Sequence, residues 1–154
     1  MGRDHRYQAT ITWTGNLGAG TAGYRSYSRD HEVSGAGKPV LPGSSDAAFR
    51  GDPERWNPEE LLVATLSQCH MLWFLHLCAE NGIVVRSYTD NAEGIMAEGD
   101  DGAGEFTAVT LRPRVAIADP GHANRARELH EEAGRVCFIA RSVNFPVSCE
   151  PVIT

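Results

Sequence analysis

The stretch Asn57-Pro58-Glu59-Glu60-Leu61-Leu62-Val63-Ala64-Thr65-Leu66-Ser67-Gln68-Cys69-His70 decides how this chain is read. Asn57 is placed to cap a helix, Pro58 suits its first helical position, and the two acids that follow suit the positive end of the helix dipole. Glu60 stands where the glutamate of a capping box belongs. The helix continues through Met71-Leu72-Trp73-Phe74-Leu75-His76-Leu77-Cys78-Ala79-Glu80 to Asn81-Gly82, a C-terminal stop. At about 24 residues it is about 36 Å long. Apolar residues fall on every face, so the expectation is a central helix buried from several sides.

Upstream, residues 7–15 alternate polar with apolar and are rich in β-branched and aromatic residues, as in a half-buried strand. A glycine-rich turn over 15–23 and a second alternating segment over 24–33 complete a predicted N-terminal β-hairpin. Residues 34–56 collect glycines and prolines and read as loop, with a short strand about Val40. A loop this long in a compact domain is often functional. Downstream, 83–97 and 105–118 form a second strand pair around a turn at 98–104, with Val109, Leu111, Val115 and Ile117 on one face. Helical spacing of Ala126, Leu129, Ala133, Val136, Cys137 and Ala140 predicts a second helix over 123–140. Residues 145–153 are a terminal strand that Pro146 and Pro151 confine to a sheet edge. The order strands, helix, strands, helix, strand is α+β, expected as a single domain over 1–154.

Composition narrows the function. Of 154 residues, 42% are hydrophobic and 22% charged, as in a folded soluble domain. A net charge of −6 with scattered Lys and Arg argues against nucleic-acid binding. The first thirty residues lack an apolar run of signal-peptide length, and no run of about 18 residues is free of polar groups, so no membrane segment is expected and the location expected is cytoplasmic. Four cysteines, Cys69, Cys78, Cys137 and Cys149, are too few for a disulfide scaffold in a chain this long.

Gly18-Ala19-Gly20-Thr21-Ala22-Gly23 matches a dinucleotide-binding pattern, but a strand-like segment follows it where a helix N-terminus is required, so no nucleotide cofactor is expected. Cys69 is the stronger signal, because Ser67, Gln68 and His70 surround it in an otherwise apolar helix. Cys78 lies about 13.5 Å further along the axis and reads as core. His70 points about 100° away from Cys69, and His76 is about 10 Å along the helix, so these three cannot chelate from one face and no metal is expected.

These residues resemble the superfamily of osmotically inducible protein C (OsmC) and organic hydroperoxide resistance proteins (Ohr). The resemblance rests on 57–62, on Ala64-Thr65-Leu66-Ser67-Gln68-Cys69-His70, and on a second cysteine late in the second helix, Glu131-Glu132-Ala133-Gly134-Arg135-Val136-Cys137. Trp13-Thr14-Gly15-Asn16, Ser44-Ser45-Asp46 and Phe49-Arg50-Gly51-Asp52 fit one subgroup. It covers nearly the whole chain. It implies an OsmC/Ohr-like α+β fold, an intertwined homodimer with active sites at the subunit interface, and a two-cysteine thiol peroxidase acting in oxidative-stress defence. It places Cys69 at the peroxidatic position, Cys137 at the resolving position and Glu59 at the family's glutamate. The family's catalytic arginine comes from the N-terminal hairpin, whose turn here has none. Arg29 is the first choice, with Arg25 next and Arg50 as the loop alternative. The resemblance further implies an external dithiol reductant, lipoyl groups among them, and no cofactor.

The implied chemistry is coherent. A thiolate attacks the distal peroxide oxygen, an alcohol departs, and the sulfenic acid condenses with a second thiol. A thiol of pKa about 8.5 is about 3% ionised at pH 7; lowering the pKa to about 6 raises that roughly 30-fold, while nucleophilicity falls about tenfold. An arginine therefore contributes more by holding the peroxide and stabilising charge on the departing oxygen, with Glu59 orienting it through a charge-assisted pair. Glu59 and Cys69 are about 15 Å apart along one helix, so if both serve one site, Glu59 must come from a partner subunit. Leu66, Leu72, Trp73, Phe74 and Phe138 would form an apolar lining that favours organic hydroperoxides, although the same residues suit plain core. Two rival readings stand beside the enzyme: a redox sensor that switches a partner through Cys69 and Cys137, and a noncatalytic module that binds an apolar ligand.

Overall fold

A computed structural model describes residues 2–154, which fall into two compact units, the first ending at Leu61 and the second beginning at Leu62. In the first, β1 (Thr10–Trp13), β2 (His31–Ser34) and β3 (Leu41–Gly43) form an antiparallel sheet in that order. The predicted hairpin is present, with Trp13 opposite His31 and Thr10 opposite Ser34, but its second strand is shorter than the alternation over 24–33 suggests. The cause is local. Beyond two backbone bonds, Thr14 N–H to the Asp30 carbonyl and Ser28 N–H to that of Gly15, side chains take over: Asn16 Oδ1 accepts from the backbone N–H groups of Gly18 and Gly20, and Arg29 folds back onto the carbonyls of Tyr24 and Tyr27.

The Gly/Pro-rich segment is pinned as well. Buried Ser44 donates to Asp30 Oδ1 and accepts from the Asp52 N–H, its own N–H donates to the Trp56 carbonyl, and Arg55 lies 3.5 Å from Asp30.

Helix α1 (Pro58–Glu80) starts as predicted. Asn57 Oδ1 accepts from the Glu60 N–H at 2.8 Å, and the Asn57 N–H donates to Glu60 Oε2 at 3.4 Å, completing the capping box. Its end is a Schellman turn: Gly82 has φ +68°, the Ile83 N–H reaches the Cys78 carbonyl, and the Gly82 N–H reaches that of Ala79. Burial on all sides is not observed within the chain. Leu66, His70, Phe74 and Cys78 form a single buried ridge at i, i+4 spacing, whereas Leu72 is 62% exposed. By length and composition alone α1 would suffice to cross a membrane.

In the second unit the predicted strand pair is four strands: β4 (Val85–Asp90), β5 (Glu93–Glu98), β6 (Gly104–Leu111) and β7 (Pro113–Ile117). The turn between β5 and β6 lies where predicted, at Gly99–Ala103, but Arg112 divides the second segment, so β6 pairs β5 and β7 pairs β4 in separate sheets. The Arg112 N–H donates to Asp90 Oδ1 at 2.7 Å in place of a ladder bond. Helix α2 (Ala123–Val136) ends earlier than predicted, leaving Cys137 as its extended C-cap residue rather than inside it. The terminal strand is likewise split, into β8 (Val147–Cys149) and β9 (Val152–Ile153). Each adds in parallel to a sheet edge, as the flanking prolines require. Phe74, Cys78, Val115, Ala126 and Leu129 centre one apolar core, and Leu66, Val109 and Leu111 a second.

Candidate active site

Cys69 on α1 is half-buried and Cys137 is buried, and both are free thiols. The Cys137 N–H donates to the Ala133 carbonyl and so closes α2, while the Ala140 N–H donates to Cys137 Sγ at 3.5 Å. Burial, and after it a hydrogen bond with the neighbouring Cys69 thiol, pushes Cys137 up to about 11. Two reduced thiols, one on α1 and one at the C-cap of α2, are thus neighbours, the arrangement that condensation of a sulfenic acid to a disulfide needs.

The polar residues around Cys69 have separate tasks. Ser67 donates to the Asp90 carboxylate, Gln68 is exposed, and His70 is buried against His130. The apolar lining expected for a substrate also divides. Leu66 and Phe74 are core, whereas Leu72 and Phe138 are 62% and 66% exposed, with Trp73 set edge-on to Phe138.

In the first unit a cleft of about 330 Å³ is lined by Trp13, Tyr27, Arg29, His31, Asp46, Phe49 and Glu59, among others. Of the three candidate arginines only Arg29 lines it; Arg25 and Arg50 are exposed elsewhere. The Arg29 guanidinium lies 4.0 Å from the ring centre of Tyr27 and 4.6 Å from that of Tyr24, and it donates to both of their carbonyls at 2.7 Å. The expected charge-assisted pair with Glu59 is not formed among the described residues. Backbone carbonyls and stacked rings orient this arginine instead, leaving guanidinium N–H groups for a ligand.

A further constellation escaped sequence reasoning. His70 on α1, His130 on α2 and Cys149 on β8 converge: His70 Nε2 and His130 Nδ1 are 2.9 Å apart, and Cys149 Sγ lies 3.6 and 3.8 Å from them. Burial holds both imidazoles below their usual range, His130 down to about 3, and pushes the Cys149 thiol up to about 12. His130 stacks on Phe74 at 3.8 Å, and its Nε2 is buried without a hydrogen-bond partner. No local motif announces these residues, which are 60 and 79 positions from His70. The exposed His76 is not among them; it lies against Trp73.

Comparison with known proteins gives consistent results. An OsmC-like protein of unknown function from Vibrio cholerae matches with a TM-score of 0.86 and 32% identity, over 97% of this chain and 100% of its own. An OsmC-like protein from Mycoplasma pneumoniae matches with a TM-score of 0.75 at 10% identity, over 99% of both chains. An organic hydroperoxide resistance protein from Elizabethkingia anophelis, with thiocyanate bound, matches with a TM-score of 0.68 at 18% identity, again over 99% of both. The last two show likeness of fold alone. A search of curated proteins found no match. The family model described as OsmC-like protein matches residues 51–151, about two thirds of the sequence, and the chain belongs to the OsmC-like family.

Proposed function

We propose that the protein is a thiol-dependent peroxidase that reduces organic hydroperoxides to alcohols in oxidative-stress defence. The observation that carries this reading is the adjoining pair of free thiols at Cys69 and Cys137. The OsmC-like family and fold neighbours named as organic hydroperoxide resistance proteins support it.

Cys69 is the nucleophile. Its thiolate attacks the distal oxygen of ROOH, the O–O bond breaks, and the alkoxide leaves as ROH with one proton, giving Cys69–SOH. Cys137–SH then displaces water from that sulfenic acid and forms the Cys69–Cys137 disulfide. An external dithiol, free or lipoyl-bound, returns both thiols and is itself oxidised to a disulfide. No step as written calls on a metal or nucleotide.

Arg29 holds the peroxide and stabilises charge on the departing oxygen, and Glu59 contributes negative charge to the same cleft. Ten residues of rigid α1 separate Glu59 from Cys69, about 15 Å, so the cleft that acts on Cys69 belongs to a partner subunit. The working form in this reading is therefore a homodimer; a cytoplasmic location, with neither membrane nor nucleic acid as partner, belongs to the same proposal. Exposed Leu72 and Phe138 beside Trp73 supply apolar surface for such an association.

The test is consumption of an alkyl hydroperoxide with dihydrolipoamide as reductant, together with the mass of the particle in solution. Multiple turnovers by a dimer, lost in Cys69→Ser, are expected. A wild type as inactive as Cys69→Ser across several peroxides and dithiols would overturn the enzyme and leave a sensor or binding module.

A further inference from the structure

We infer that His70, His130 and Cys149 form a zinc site that ties α1, α2 and β8 together. Spacing along one helix excludes a shared metal at Cys69, His70 and His76; the tertiary structure recruits a different set. Zinc at tetrahedral angles, with bonds of about 2.05 Å to nitrogen and about 2.3 Å to sulfur, places two nitrogens about 3.3 Å apart and each about 3.6 Å from the sulfur. The three ligand atoms here stand 2.9, 3.6 and 3.8 Å apart. All lie within 4.8 Å of one another, so a shift of a few tenths of an ångström at the imidazoles completes the triangle.

The chemistry of the donor set agrees. Two imidazoles and one thiolate suit a borderline-soft cation and are a poor set for magnesium or calcium. Burial favours the uncharged form of both imidazoles, the form that ligates. A thiolate leaves one positive charge over, and the Asp90 carboxylate offsets it from close enough to act on both His70 and Cys149. Asp90 is itself fixed by the Ser67 hydroxyl and the Arg112 N–H, and it acts on the cluster through its charge, not through a hydrogen bond to a ligand. A cavity of about 30 Å³ bordered by His70, Cys149 and Cys137 has room for one water beside two of the three ligands.

Without a metal, a single proton joins the two facing imidazole nitrogens. A metal takes that proton's place and bonds both nitrogens, and the neutral His130 ring then carries its proton on Nε2, which is buried without a partner. Metal affinity gained only in the folded state is folding stability. Cys149 thereby becomes a structural thiolate, distinct from the Cys69–Cys137 pair.

The full-length protein, stripped with a chelator and reduced, is titrated with zinc against a chromophoric chelator and with cobalt(II) as a spectroscopic substitute. Expected are one metal per chain, a thiolate-to-cobalt charge-transfer band, and a higher melting temperature with zinc. Affinity should fall at least about tenfold in Cys149→Ser and in His130→Asn, while Cys69→Ser and Cys137→Ser bind as the wild type does. A variant-free readout is peptide-mapped alkylation, in which zinc should slow labelling of Cys149 and leave Cys69 reactive. The assignment is overturned by absence of binding at micromolar zinc, by a band that survives Cys149→Ser, or by a band lost in Cys69→Ser. Equal alkylation of Cys149 with and without zinc overturns it equally. Because each readout is metal binding and not turnover, failure here leaves the peroxidase reading intact.

Discussion

Replacing Cys137 with serine should stop the peroxidase cycle after its first chemical step, and the pH dependence of the second step should show why. Burial, followed by the neighbouring Cys69 thiol, pushes Cys137 up to about 11 from 9.0. At pH 7 a thiol of pKa 11 is ionised to about 1 part in 10⁴, against about 1 in 100 at pKa 9. Once Cys69 is a sulfenic acid its own thiol no longer contributes, but burial, the larger cause, remains. If the Cys137 thiolate is the attacking species, disulfide formation should quicken about tenfold per pH unit between 7 and 9. Proximity compensates for the small ionised fraction, since intramolecular attack between adjoining groups carries an effective molarity of about 10⁵ M or more. Trp73, edge-on to Phe138 beside Cys137, provides the signal. One equivalent of peroxide is mixed with reduced protein in stopped flow without reductant, and dimedone traps any sulfenic acid. Wild type should show two fluorescence phases, the second rising with pH. Cys137→Ser should show only the first and accumulate dimedone adduct at Cys69. A second phase that is flat from pH 7 to 9, or one that persists in Cys137→Ser, would refute this account of resolution.

Arg29→Ala should lower kcat/KM for an alkyl hydroperoxide by about 10² to 10³, the loss typical of one donor to a developing anion. Arg29→Lys should recover little, because an ammonium cannot reproduce stacking between Tyr24 and Tyr27 with two carbonyl bonds. An equal loss in Arg25→Ala or Arg50→Ala would transfer the role. Asn57→Ala should lower stability by about 1 kcal/mol in denaturant titration by removing the α1 capping box, with Asn57→Ser close to wild type. Alkaline stability should reflect Cys78, which burial pushes up to about 11 from 9.0. The folded state keeps this proton where the unfolded chain has lost it, so the contribution is whole below pH 9 and disappears as pH rises to 11. Its share of the slope is about 1.4 kcal/mol per pH unit at most, read from urea midpoints. Buried Cys137 and Cys149 are raised in the same direction and add slopes of the same sign, so Cys78→Ala should reduce the total slope by that share, and an unchanged slope would place the titration elsewhere.

The features legible along the chain are those that residues close in sequence decide. The α1 start is legible in Asn57 and Glu60, its stop in Gly82, and the β5–β6 turn in the glycines and acids of 98–104, because caps and turns are satisfied by groups a few residues apart. The prolines at 146 and 151 likewise predict the edge positions of β8 and β9. The roles of Cys69, Cys137 and Glu59 came from family resemblance, since no local pattern pairs cysteines 68 residues apart. The tertiary structure decided the rest. It selected one ridge of an evenly apolar helix for burial, because the partner surface and not the helix's own pattern chooses the face. It divided one alternating run at Arg112 between two sheets, because Asp90 offers that N–H a side-chain acceptor. It held Arg29 with carbonyls and tyrosine rings where sequence reasoning assigned a glutamate. It also brought His70, His130 and Cys149 to one point. Such a cluster is invisible along the chain, because its ligand spacing is set by how helix packs on helix and strand, and not by the period of any one element.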